Sequence, residues 1–77
     1  MANKLTLNQE QVYLFIREYI AVNKDSPYIR QIQQSCNIRS HKNVIDRLNA
    51  LERKGYIHRK INQHKGIRLL KNKRESI

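Results

Sequence analysis

Apolar residues recur at helical spacings through the first two thirds of this chain and at a spacing of two after Gly55. Thr6-Leu7-Asn8-Gln9 matches a capping box, in which the Thr hydroxyl takes a free amide of the first turn and the Gln side chain returns to the cap amide. A helix is predicted from there, with Val12, Phe15, Ile16, Tyr19 and Ile20 on one face, running to about Val22 before the polar break Asn23-Lys24-Asp25-Ser26. Ser26-Pro27 reads as a cap followed by proline at the first helical position, where its missing N–H costs nothing. A short second helix should reach Ser35 or Cys36 and bury Ile29, Ile32 and Cys36, with Asn37 in a turn suited to a left-handed residue. Ser40 is the next cap, Val44, Leu48 and Leu51 mark the core stripe of a third helix, and Gly55 after Arg53-Lys54 ends it. Beyond it Ile57, Arg59 and Ile61 alternate with His58 and Lys60, and Ile67, Arg68 and Leu69 alternate after a polar stretch, which predicts a hairpin. The pattern divides the chain into a tail over 1–5, one domain over 6–70 and a basic, solvated tail over 71–77. The fold class is mainly α with a small β-hairpin.

Length narrows the function. Seventy-seven residues make one domain, and a chain of this size buries only about 60 % of the surface it exposes when unfolded. The core is small and leaves no room for a deep catalytic cleft, so no enzyme is expected. A single cysteine, Cys36, cannot close an internal disulfide, and no apolar run has the length of a signal peptide or membrane span, so a cytoplasmic protein is expected.

Charge changes the picture further. Of the net charge of +10, +9 lies from Arg39 onward, where twelve Lys or Arg face Asp46, Glu52 and Glu75. That half is also well patterned, so it reads as a folded cationic surface, whose commonest partner is a polyphosphate. Helix, short helix, four-residue turn, capped helix and basic hairpin is the order of a winged helix-turn-helix, in which the last helix enters the major groove and the hairpin lies along the backbone.

From Leu5 to Leu70 the sequence resembles, without a gap, the N-terminal DNA-binding domain of the LexA repressor family. The resemblance is carried by Leu5-Thr6, Gln9, Val12, Ile16-Arg17, Pro27, Ile32, Arg39-Ser40, Leu48, Ala50-Leu51, Arg53-Lys54-Gly55, Ile57 and Gly66-Ile67-Arg68-Leu69-Leu70. It implies a DNA-binding transcriptional regulator, a repressor, of bacterial, phage or plasmid type, associated with the nucleoid. The self-cleaving serine-lysine domain that also dimerises LexA has no counterpart in these residues, so no self-cleavage is expected of this chain.

By the same resemblance, bases are read from the start and exposed face of the third helix, which here corresponds to Ser40, Lys42, Asn43, Ile45 and Asp46. Where the family tends to place Asn, a small residue and two acids, this chain has Lys42, Asn43, Ile45 and one acid, Asp46, so a different operator is expected. Asn43 can pair bidentately with adenine, Lys42 can reach guanine acceptors or a phosphate, Asp46 can accept from cytosine N4, and Ile45 can cover a thymine methyl. The plainer roles are a cap for Asn43 and Ser40, an ion pair with Lys42 or Arg47 for Asp46, and core packing for Ile45. Arg39, Arg53, Lys54, Arg59, Lys60, His64 and Lys65 are expected at phosphates, which supply affinity without sequence information; the plainer role is a solvated surface.

His41, His58, His64 and Cys36 lack metal-ligand spacing, and no phosphate-binding glycine loop or nucleophile motif is present, so neither metal, cofactor nor small-molecule substrate is expected. With no heptad or extra helix for an obligate dimer, the chain is expected to be a monomer in solution that pairs on an inverted-repeat operator. Two alternatives keep the fold: an accessory factor in replication, recombination or mobile-element maintenance, and an adaptor whose basic face meets an acidic protein.

Overall fold

The computed structural model describes residues 4–60 and 66–70. Helix α1 spans Leu7–Asn23, α2 Ile29–Ser35 and α3 His41–Arg53, followed by strands β1 Ile57–Arg59 and β2 Ile67–Leu69. The strands pair antiparallel, with Ile57 opposite Leu69, His58 opposite Arg68 and Arg59 opposite Ile67. Residues 61–65, between the strands, and the terminal segments 1–3 and 71–77 lie outside the described residues, and with them the expected alternation at Ile61 and the solvated C-terminal tail.

Each helix end has a local cause. The box at the start of α1 is complete: the Gln9 N–H donates to Thr6 Oγ1 at 3.1 Å, and the Thr6 N–H donates to Gln9 Oε1 at 3.2 Å. Lys24 ends α1 in the left-handed region at φ 58°, its N–H on the Ile20 carbonyl. The α2–α3 turn is a Schellman closure: Asn37, at φ 54°, donates to the Gln34 carbonyl, and the next residue, Ile38, donates to that of Gln33. The same closure follows α3, where Gly55 at φ 88° donates to Glu52 and Tyr56 to Leu51. A side chain at Gly55 would meet nothing within 4 Å; glycine is required there by the backbone angle, not by space.

The start of α2 corrects the sequence expectation. Tyr28, not Ser26, occupies the cap position, and Pro27 precedes the cap instead of opening the helix. The Gln31 side chain accepts from the Tyr28 N–H at 2.7 Å, so the Tyr28-x-x-Gln31 spacing serves the helix start without Ser26. Ser26 turns inward and is buried. Its hydroxyl donates to the Pro27 carbonyl and accepts the Ile67 N–H at 3.1 Å, tying β2 to the α1–α2 loop.

One cluster forms the core: Val12 and Ile16 from α1, Ile29 and Ile32 from α2, Cys36 and Ile38 from the turn, Val44, Leu48 and Leu51 from α3, and Ile57 and Ile67 from the hairpin. Phe15 and Ile20 pack at its margin, and Tyr13 meets Tyr56 edge-on at 5.1 Å between centroids. Burial pushes the Cys36 thiol up, against the opposing charge of Arg47.

Candidate nucleic-acid interface

Because α3 buries Val44, Leu48 and Leu51, the opposite side of the helix faces solvent. Lys42, Asp46, Asn49 and Arg53 follow at spacings of four, three and four along it, all exposed, with exposed His41 and Asn43 at its start. Ser40 holds this end of the helix by accepting the Asn43 N–H on its hydroxyl at 3.2 Å. The Asn43 cap bond uses only the backbone amide; among the described residues its side-chain amide makes no hydrogen bond. Lys42 Nζ stands 3.5 Å from Asp46 Oδ2, with side chains 82 % and 58 % exposed. Exposed pairs at this spacing contribute about 0.3–0.5 kcal/mol, so either partner can exchange the other for a base or phosphate. Ile45 differs from these: it is half-buried and packs against the core cluster.

The hairpin stands beside α3 and is bound to it. Arg59 donates from Nη1 to Asn49 Oδ1 at 3.0 Å and from its backbone N–H to Glu52 Oε2 at 3.3 Å, while His58 Nδ1 lies 3.5 Å from the same Glu52 oxygen. Glu52 therefore faces the wing, and Arg59 joins it to the exposed edge of α3. Lys60 is exposed, and its N–H on the Gly66 carbonyl continues the ladder. Arg39 precedes α3 and Arg53 ends it, both exposed.

Lys54 is placed differently. Its ammonium donates to the Lys4 carbonyl at 2.8 Å and to Gln9 Oε1 at 2.7 Å, clamping the end of α3 to the start of α1. His64 and Lys65 lie outside the described residues. The structure thus brings Arg39, Lys42, Asn43, Asp46, Arg53, Arg59 and Lys60 onto α3 and its flanks, puts Ser40 beneath them as a cap, and draws Ile45 and Lys54 partly away.

Three further side chains join this surface without having stood out in the sequence. Asn49 continues the Lys42–Asp46 stripe by three residues, a spacing that could have revealed it. Arg68 is exposed on β2 opposite His58, where it shares a groove with Lys60 and the Lys24–Ser26 turn on the outer side of the wing, and the strand alternation pointed to it. Arg30 shares a groove with Tyr28, Gln31 and His41 between the starts of α2 and α3; no spacing in the sequence joins Arg30 to His41. Among the described residues no group of His, Cys, Asp and Glu is placed to hold a metal ion, and no helix is long and apolar enough to cross a membrane.

Three helices packed around one core, with the last turned outward beside a two-stranded antiparallel hairpin, make this a winged helix-turn-helix domain. The family model of the LexA DNA binding domain matches residues 2–66, and the chain belongs to that family. Among curated proteins it is 40 % identical over 67 residues to LexA repressor 1 of Geobacter sulfurreducens, covering 87 % of this chain and 33 % of that protein. It is 40 % identical over 67 residues to the LexA repressor of Petrotoga mobilis, covering 87 % and 32 %, and 38 % identical over 73 residues to that of Thermotoga maritima, covering 95 % and 36 %. The chain spans about a third of the length of these curated relatives.

Proposed function

We propose that this domain binds double-stranded DNA sequence-specifically and represses transcription, with α3 in the major groove and the hairpin along the phosphate backbone. One observation carries the reading: the exposed face of α3 presents Lys42, Asn43, Asp46 and Asn49 together, with donors and acceptors that match base edges, beside a wing tied to it by Arg59. Base contact is assigned to Asn43, Lys42 and Asp46. Ser40 serves mainly by fixing the helix start, where free amides also face a phosphate. Ile45 reaches a thymine methyl only with its exposed edge.

Phosphate contact is assigned to Arg39, Arg53, Arg59 and Lys60, with Arg30 and Arg68 added; Lys54 is a brace between α1 and α3. His64 and Lys65 join this group on charge alone. Two protomers occupy inverted half-sites, because a lone module buries only about 600–1,000 Å² on DNA and gains affinity when paired. A cytoplasmic, nucleoid-associated location follows from such a role, and no catalysis is assigned.

Selection of bound sequences from a random duplex pool tests the whole reading. A recurrent inverted motif that outcompetes bulk DNA at fixed salt supports it, and binding without sequence preference contradicts it.

A further inference from the structure

The outer face of α1 gathers exposed apolar side chains that the core does not use. Leu7 and Leu14 are 84 % and 48 % exposed, and exposed Ala21 extends their line at the same spacing of seven. Two helical turns separate successive members, so they form one stripe on the side turned away from Val12 and Ile16. A shallow groove beside Leu14 is bordered by Leu5 and Tyr13, with Glu10 and Arg17 at its edge. Arg17 lies over the Tyr13 ring, 5.9 Å from its centroid, which holds the cation on this flank.

Glu10 and Arg17 are themselves two turns apart, too far to pair along their own helix, and among the described residues neither has an ion-pair partner. We propose that this face docks a second copy of the chain, α1 against α1 and antiparallel, about a two-fold axis at Leu14. In that arrangement Leu14 meets Leu14, Leu7 meets Ala21, and Glu10 stands opposite Arg17 on both sides of the axis, as a two-fold interface requires. On the other flank Glu18 faces the uncharged Gln11, so no like charges oppose.

Net charge selects the same surface. Residues 1–38 contribute +1 and the remainder +9, so two copies meeting through α1 bring nearly neutral faces together, whereas meeting through α3 or the wing sets cation against cation. The contact is small. One helical stripe buries a few hundred Å² per copy, roughly half of what a stable complex needs, so the pair is weak and forms when copies are concentrated. It rests on the proposed function in one respect: α1 packs on the inner side of α3, so the pair leaves both outer α3 faces open, pointing apart, to engage two separate DNA segments.

Sedimentation equilibrium of the full chain without DNA, up to about 2 mM, reads the pairing independently of any DNA function. A dissociation constant on the order of 0.1–1 mM is expected from the small area. Leu14→Asp should weaken association about tenfold or more while the fold is retained, with the melting temperature lowered by only a few degrees, because the residue lies outside the core and the added charge meets Glu10 and Glu18 along α1. Glu10→Arg and Arg17→Glu should each weaken it, and the double variant E10R/R17E should restore it. Absence of self-association at 2 mM, association that survives Leu14→Asp, or a double variant no better than the single ones overturns the proposal.

Discussion

Helices α1 and α3 feed the same core but treat solvent in opposite ways. On α3, Val44, Leu48 and Leu51 are fully buried, and the exposed positions are His41, Lys42, Asn43, Asp46, Asn49 and Arg53, all polar or charged. On α1, Val12 and Ile16 are equally buried, yet Leu7, Leu14 and Val22 stand exposed on other sides. A helix with a clean polar side can offer hydrogen-bonding groups to a hydrated, charged partner at little desolvation cost. A helix apolar on several sides favours contact with another protein surface. The two helices accordingly offer solvent different chemistry, and the sign imbalance of the charge follows the same division.

The sharpest way to break this contrast is to ask which apolar residues belong to the core. Leu48→Ala removes a fully buried side chain and should cost about 2–5 kcal/mol in urea unfolding, enough to unfold much of a domain this small. Leu14→Ala should change stability by no more than about 0.5 kcal/mol. Comparable losses at the two positions would show that the outer face of α1 is core after all.

Next in size are the effects on DNA. Replacing Arg39, Arg53 and Lys60 together by Ala should weaken binding to every duplex alike and reduce the slope of log affinity against log salt by roughly 0.9 for each phosphate no longer neutralised. An unchanged slope would remove these residues from the backbone. Asn43→Ala should cost about 1–3 kcal/mol on the selected site and far less on random DNA, measured by competition titration. Equal losses on both would leave Asn43 as a helix-start residue.

Most of the fold could be read from the chain because its signals are local. Thr6 with Gln9, Asn37, Ser40 and Gly55 act within three or four residues of themselves, and the structure places each where the spacing indicated. Reading fails where a side chain is claimed from far away. Ser26 looked like a cap, but its hydroxyl serves Ile67, 41 residues on. Lys54 looked like a free cation, but Lys4 and Gln9 hold it from 50 and 45 residues away. The bond from Arg59 to Asn49 likewise depends on the wing packing beside α3. The exposed stripe of α3 follows from its period; which of the neighbouring side chains cap, which brace and which stand exposed required the tertiary structure.

Smaller effects sharpen the same distinction. Ser40→Ala should cost about 1 kcal/mol of stability by freeing the Asn43 amide, and it should weaken DNA binding because the reading helix then frays at its start. Thr6→Ala should cost a similar amount of stability with no effect on DNA affinity, since α1 lies on the other side. Thermal melts and titrations of the two variants side by side check this, and a DNA defect in both would contradict it.

The division between the two helices is tested most directly by amide chemical-shift mapping of the labelled protein with its selected duplex, at about 50 µM, where a dissociation constant on the order of 0.1–1 mM leaves most of the protein unpaired. Shifts should concentrate between Arg39 and Arg53 and at Arg59, Lys60 and Arg68, with the amides of Leu7, Leu14 and Glu18 unmoved. Large shifts along the outer face of α1, or an unperturbed α3, would contradict the account.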